Sequence, residues 1–424
     1  MSEKAILAMA FSVAIVLSAC GAVQAPPIKE EPKADEFSVF FGEDDYLKLS
    51  EPTNELGAQL ISKAEPDEDG NVFVSPVSLF MALSMLQNGA EGQTRDQITE
   101  AMQVMGMDAE SINRANASLV AHLQHSDDGL TFRTANSIWV NDAYTLQEEF
   151  KQLTQDYYLA EAQEMDITDP ESAELMNEWV QHATNGKIDE IVQAPLDESL
   201  VLYLLNAVYF KASWSYPFNE NLTEDDDFKL TDGTVRKVPF MQLNEELSYL
   251  ETDQFQAVTL PYGNEGKLMM DIYVPKEGRN LEELLSSWTA ENRKKWKNSF
   301  ETLPGIVRLP KFQLDYEILL NDVLQELGMY QAFGEEAELG KVVVEDENRL
   351  FVSKVFQKTY LSVDEKGTEA AAVTSIAVDT ESASLGEVFE ITAAKPFFFT
   401  VYDREADLLL FAGKVANPVT GSSN

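Results

Sequence analysis

The chain has 424 residues, of which 44% are hydrophobic and 25% charged, a globular rather than a disordered composition. Its 73 acidic residues outnumber 31 basic ones, for a formal net charge of −42. This excludes a general electrostatic nucleic-acid binder, because such a surface repels phosphate almost everywhere, and argues against docking on anionic lipid through a basic patch.

The first segment, residues 1–19, carries Lys4 and then a continuous small and apolar stretch, Ala5–Ala19. It is too short for a comfortable membrane-spanning helix and fits a signal-peptide core. It ends in Leu17-Ser18-Ala19-Cys20, which is similar to the bacterial lipobox, where the signal is cut before a cysteine that is then lipidated. Cys20 is the only cysteine, so the chain has neither an intramolecular disulfide nor a cysteine-based metal site. Gly21, in place of an aspartate, favours the outer membrane if the cell has one; a plain secretory signal with an incidental cysteine is the alternative. Residues 20–49 read as an extended tether. Pro26, Pro27 and Pro32 break helices, and the acidic residues oppose collapse. Phe37 to Phe41 is its one apolar patch and a candidate to dock on the body.

From 50 to 420 no comparable break appears, so the body reads as one large mixed domain, with 421–424 as a tail. Apolar i, i+3, i+4 spacing predicts helices over Ser75–Gln87, Glu91–Met102, Leu146–Tyr158, Pro170–Thr184 and Tyr316–Leu327, the last capped by Gly328. Strand-like runs cover Thr131–Val140, Val201–Phe210, Lys267–Val274, Ile306–Leu309, Val352–Val363, Pro396–Tyr402 and Leu408–Val415. Many are apolar on both parities, which predicts strands covered on both faces in a layered α+β fold.

Catalytic chemistry is scarce. His122 and His125 have metal-compatible spacing in a predicted helix but no third ligand, and His182 has no evident partner in the sequence. No G-x-S-x-G, P-loop or G-x-G-x-x-G occurs, and nothing marks a pair of glycosidase carboxylates. Asp225–Asp227 offers a weak calcium site but reads first as a solvated loop. No cofactor is implied, and hydrolysis lacks a nucleophile–base pair.

The informative segment is Asp364–Leu385, DEKGTEAAAVTSIAVDTESASL. Its even positions Thr368, Ala370, Ala372, Thr374, Ile376 and Val378 are all uncharged. The charges fall on odd positions, Glu369, Asp379 and Glu381. Such period-two segregation suits a strand with one buried face. The polar and small residues 380–387 read as a loop. A segment patterned as a strand and composed partly as a loop points to two states, or to an ordinary edge strand with a serine-rich turn.

Five ordered blocks give this segment its context. They are Asn71–Gly92 (NVFVSPVSLFMALSMLQNGAEG), Asn177–Ile188 (NEWVQHATNGKI), Asn206–Phe218 (NAVYFKASWSYPF), Leu309–Phe333 (LPKFQLDYEILLNDVLQELGMYQAF) and Ala394–Pro418, with its KPF, LFAGKV and NP elements. Together they resemble the serpin family over about residues 50–418. The resemblance implies an α+β serpin fold of three β-sheets and eight to nine helices, with a reactive-centre loop at about 366–390. It also implies a mechanism: a target protease cleaves the loop and forms an acyl-enzyme, and the freed loop inserts into the central sheet and traps the protease covalently. Gly367, Thr368, Glu369, Ala370, Ala371 and Ala372 then form the hinge, and the alanine run favours an active inhibitor.

By the same resemblance Ser75, Ser78 and Asn206 lie in a shutter under the central sheet, and Trp214 lies near the breach where the loop enters. Gln357 stands where many relatives carry a histidine, which removes a titratable shutter group. Loop counting places the scissile bond at Glu381–Ser382, within a range of 379–386. The implied partner is a serine protease, with cysteine proteases equally open chemically, and the expected state is a lipid-anchored monomer. The alternative within the fold is a binding protein that traps nothing.

Overall fold

The structure, a computed structural model, describes residues 37–124, 130–197, 199–345, 350–368 and 388–419. These contain nine α-helices: α1 (Ser50–Lys63), α2 (Pro76–Gly89), α3 (Gly92–Ala101), α4 (Ala109–Gln124), α5 (Glu148–Tyr158), α6 (Ser172–Ala183), α7 (Leu281–Ser287), α8 (Ala290–Lys297) and α9 (Asn321–Glu326). Helix α2 begins where Ser75 caps it and Pro76 occupies the first turn, a position that needs no amide donor. Thirteen of its fourteen residues are buried, so it runs through the centre of the molecule instead of along its surface.

Six strands form one sheet in the order β10 (Phe312–Leu319), β11 (Lys354–Asp364), β12 (Gly367–Thr368), β4 (Leu202–Ser213), β2 (Leu130–Asn141) and β3 (Glu161–Met165). Strand β4 is buried on both faces, as its apolar run predicts. Leu204, Val208, Phe210 and Ala212 enter the main core. Tyr203, Leu205 and Ala207 pack under α6 with Trp139, Met176 and Trp179.

The other nine strands are β1 (Val72–Val74), β5 (Glu224–Lys229), β6 (Val235–Glu251), β7 (Phe255–Tyr262), β8 (Leu268–Pro275), β9 (Glu301–Pro310), β13 (Phe389–Thr392), β14 (Phe397–Asp403) and β15 (Leu408–Val415). They join in the order β1-β15-β14-β8-β7-β6-β9-β13, with β5 added on β6. The 17-residue β6 carries the division. One of its edges pairs with β9 throughout 240–249, while the other pairs with β5 over 235–240 and β7 over 248–251. Two of the three expected sheets are therefore hydrogen-bonded into one through a shared strand.

Three expectations need correction. The segment 316–327 is not one helix. Its first part belongs to β10, where Phe312, Leu314, Tyr316 and Ile318 point inward and Asp315, Glu317 and Leu319 outward. Eight residues of β10 pair with β11, and this ladder overrides the helical spacing. Only 321–326 is helical, followed by Gly328 at φ +101. Asp225–Asp227 is not a loop but part of β5. Asp227 meets Lys237 at 2.9 Å and Asp226 meets Arg308 at 3.0 Å, so two of the three carboxylates pair with cationic side chains of neighbouring strands. Finally, the packed body starts before residue 50. Ser38 donates to Asp156 at 2.5 Å, Ser118 to the Glu43 carbonyl at 2.7 Å, and Tyr46 and Leu49 are buried.

Candidate functional site: the seam between β11 and β4

Along its lower part, β11 pairs directly with β4 in parallel, from Lys354↔Tyr203 to Tyr360↔Tyr209. Above Tyr360 the two strands part. The chain turns at Asp364–Lys366, and β12 comes back between them. Thr368 faces Val363 on one side and Ala212 on the other, antiparallel to both. The seam is thus closed below and opened above by two residues of the predicted hinge.

The turn is fixed by its own side chains and by one glycine. Asp364 Oδ1 accepts from the Lys366 and Gly367 amides at 2.8 and 3.2 Å. Burial pushes the Asp364 carboxyl above its ordinary range. Gly367 has φ +151, and a Cβ there would stand 2.1 Å from the Ala212 carbonyl oxygen. No side chain fits between the strands at this point.

Trp214 closes the top. Its indole donates to the Asp364 carbonyl at 2.9 Å, and its amide donates to the Lys366 carbonyl at 2.9 Å. Its ring stacks on Tyr262 at 4.3 Å. The Tyr262 hydroxyl lies 2.8 Å from Thr368 Oγ1, and both residues are fully buried. Behind the turn, Glu365 joins Lys311 at 2.8 Å and Thr223 at 2.8 Å. Burial works to raise the Glu365 carboxyl, but these partners outweigh it and hold it below the ordinary range.

Lower down, a buried polar network spans the closed seam. Gln357 of β11 donates to Asn206 Oδ1 on β4 at 2.7 Å and to the Ser75 carbonyl at 3.0 Å. Its own oxygen accepts from the Ser75 amide at 2.9 Å. Asn206 Nδ2 donates to Asn136 at 2.5 Å and to the Ser78 hydroxyl. Ser75 Oγ donates to the Leu410 carbonyl at 2.9 Å. All six donor and acceptor sets are provided by neutral groups, and Ser75, Ser78, Asn206 and Gln357 are fully buried.

The structure therefore gathers Ser75, Ser78, Asn206 and Gln357 in one network, and Trp214, Gly367 and Thr368 in a second. Glu369, Ala370, Ala371, Ala372, Glu381, Ser382 and Cys20 lie outside the described residues. Tyr262, Lys311, Glu365 and Asn136 join these networks without having been singled out from sequence. Each is an ordinary core or surface residue by local pattern, and only the packing of distant segments gives it a partner. His122 is engaged by Asp403 at 2.9 Å and stacks on Tyr46 at 4.1 Å, so its geometry is that of a hydrogen-bonded helix histidine. His125 lies outside the described residues, and His182 lies in the last turn of α6. Among the described residues no group of three metal-ligating side chains comes together.

A layered α+β protein in which β12 parts two strands of a six-stranded sheet has the architecture of the serpins. The family model for serpin (serine protease inhibitor) matches residues 51–418, and the chain belongs to this family. An uncharacterized serpin-like protein of Thermococcus kodakarensis is 36% identical over 83% of this chain and 82% of its own length. Serpin-ZXA of Oryza sativa subsp. japonica is 33% identical over 86% and 95%. Among solved structures, the thermophilic serpin tengpin in its native state aligns with a TM-score of 0.80 at 28% identity, covering 90% of this chain and 96% of tengpin. Human thyroxine-binding globulin complexed with thyroxine aligns with a TM-score of 0.78 at 25% identity, covering 89% of this chain and 100% of that one.

Proposed function

We propose that the chain is an inhibitory serpin of the cell envelope, one that is cleaved in its reactive-centre loop, inserts the loop into the six-stranded sheet and traps the protease covalently. The observation that carries this reading is the register of β12. Extending it residue by residue puts Ala370 between Leu361 and Phe210, Ala372 between Thr359 and Val208, Thr374 between Gln357 and Asn206, and Ile376 between Val355 and Leu204. All eight of these neighbours are fully buried. In the proposed inserted state the uncharged even positions of the loop would thus fall on the core face. Glu369 would fall on the other face, level with half-buried Ser362 and Lys211.

Insertion replaces one seam of seven parallel pairs with antiparallel pairing on both flanks, which favours the inserted state. The favoured scissile bond is Glu381–Ser382, with a serine protease as target and a cysteine protease compatible with the same chemistry. Lipidation at Cys20 supplies the membrane anchor, and the molecule acts as a monomer.

The test mixes the full chain with serine and cysteine proteases of differing specificity and resolves the products on a denaturing gel. A band at the summed mass, with the released peptide sequenced by mass spectrometry, supports trapping and gives the bond. Cleavage without such a band, and without a gain in thermal stability of the cleaved protein, refutes it. For the anchor, Cys20→Ser should move the protein out of the membrane fraction; continued retention there refutes lipidation.

A further inference from the structure

We propose that Tyr262 is the positioning residue that seats the hinge in the seam and thereby sets how readily insertion starts, an inference that rests on the trapping reading above. Gly367 and Thr368, the last described residues of this segment, pair with β11 and β4. Thr368 sits fully buried between the two strands, where a hydroxyl without a partner is costly. The partner comes from the other sheet: the Tyr262 hydroxyl at 2.8 Å, at the end of β7.

Tyr262 is well placed for this because it is itself immobilised. Its ring stacks on Trp214 at 4.3 Å and meets the edge of Phe210 at 5.3 Å. Its backbone bridges that of Trp214, and the Gly263 amide donates to the Ser213 carbonyl at 2.8 Å. These contacts tie the end of β7 to the end of β4. Burial pushes the phenol far up, so it remains a neutral hydroxyl. The hydroxyl pair fixes the depth of the hinge. With Thr368 seated, loop insertion extends an existing strand; unseated, the cleaved loop must first nucleate one while the acyl-enzyme is open to hydrolysis.

The experiment is a double-mutant cycle in the full chain with Tyr262→Phe, Thr368→Val and the double variant. Two quantities are read: amide hydrogen exchange of the hinge peptide ending at Thr368, and the fraction of cleaved molecules that hold protease. One buried neutral hydrogen bond shifts the seating equilibrium about fivefold. Tyr262→Phe should therefore speed hinge exchange about fivefold and lower the trapped fraction, with no further effect in Thr368→Val. Thr368→Ser, which keeps the hydroxyl, should behave as wild type. Equal effects of Tyr262→Phe in both backgrounds would assign it a packing role and overturn the proposal, as would unchanged hinge exchange. A loosened hinge with an unchanged trapped fraction would overturn the insertion role and leave the trapping reading standing. A wild-type chain that traps no protease would sink the trapping reading, while the exchange cycle still decides the seat.

Discussion

Ala372→Glu tests the insertion register most sharply. On the register of β12, residue 372 lands between Thr359 and Val208, both fully buried. The Thr359 hydroxyl is already committed to the Phe73 carbonyl at 2.6 Å, and no cation lies on this face of the two strands. A glutamate there must insert protonated. Protonating a carboxyl of pKa about 4.3 costs about 4 kcal/mol at pH 7 but only about 1 kcal/mol at pH 5. If half of the pH 7 cost reaches the barrier, insertion slows about thirtyfold. The acyl-enzyme then has time to hydrolyse, and the inhibitor becomes a substrate. The assay is the ratio of trapped to cleaved protein at pH 7 and pH 5, with a protease active at both. Ala372→Glu should trap poorly at pH 7 and recover at pH 5, relative to wild type at each pH. Ala372→Gln, which cannot titrate, should be impaired equally at both. Trapping by Ala372→Glu at the wild-type level at pH 7 would refute burial of this position and the register with it.

Three further outcomes are expected. Gln357→His puts a titratable ring among neutral buried partners; burial lowers its folded pKa below the unfolded value of about 6.5, so stability relative to wild type should fall as pH drops from 7.5 to 5.5, and parallel melting profiles would refute this. Lys311→Met leaves the Glu365 carboxylate without its ammonium and should cost about 1–2 kcal/mol at pH 7. Because the folded pKa of Glu365 is depressed, its contribution exists above the ordinary value of 4.5 and is lost as pH falls, so the variant should melt closer to wild type at pH 4 than at pH 7. Thr374→Val should leave the intact protein unchanged yet lower the stability of the loop-cleaved form by about 1–2 kcal/mol, measured by denaturant unfolding; an equal loss in both forms would refute the placement of Thr374.

Most of this fold was legible where the pattern is local. The run Val201–Phe210 announces a doubly buried strand and becomes β4. The Ser75-Pro76 step announces a helix start and becomes the cap of α2. Reading failed where pairing partners distant in sequence decide. The residues 316–319 satisfy helical spacing, yet β11 takes them into a ladder. Asp225–Asp227 reads as a loop until Lys237 and Arg308 arrive from β6 and β9. For the same reason Ser75, Asn206 and Gln357 were accessible through family resemblance, whereas Tyr262 was not: nothing local marks a tyrosine whose partner lies more than one hundred positions away.

The polarity of the loop matches the polarity of the seam in a way that core packing alone does not require. A strand buried against an apolar face is best made of apolar residues, and Ala370, Ala372, Ile376 and Val378 conform. The two exceptions on that parity are threonines. Thr368 meets the Tyr262 hydroxyl at the top of the seam. On the proposed insertion Thr374 would come level with Gln357 and Asn206, whose 2.7 Å bond crosses the closed seam. An inserting strand must break that bond and would strand a buried amide and a buried carbonyl. A hydroxyl both donates and accepts, so a threonine arriving at this level can face each side chain in turn, which an alanine or valine cannot. On the proposed insertion Thr374 would thus offset the cost of breaking that bond. In the proposed inserted state the loop would bring hydroxyls level with Tyr262 and with the Gln357–Asn206 bond, and Ala372 level with Thr359, whose hydroxyl the Phe73 carbonyl already engages.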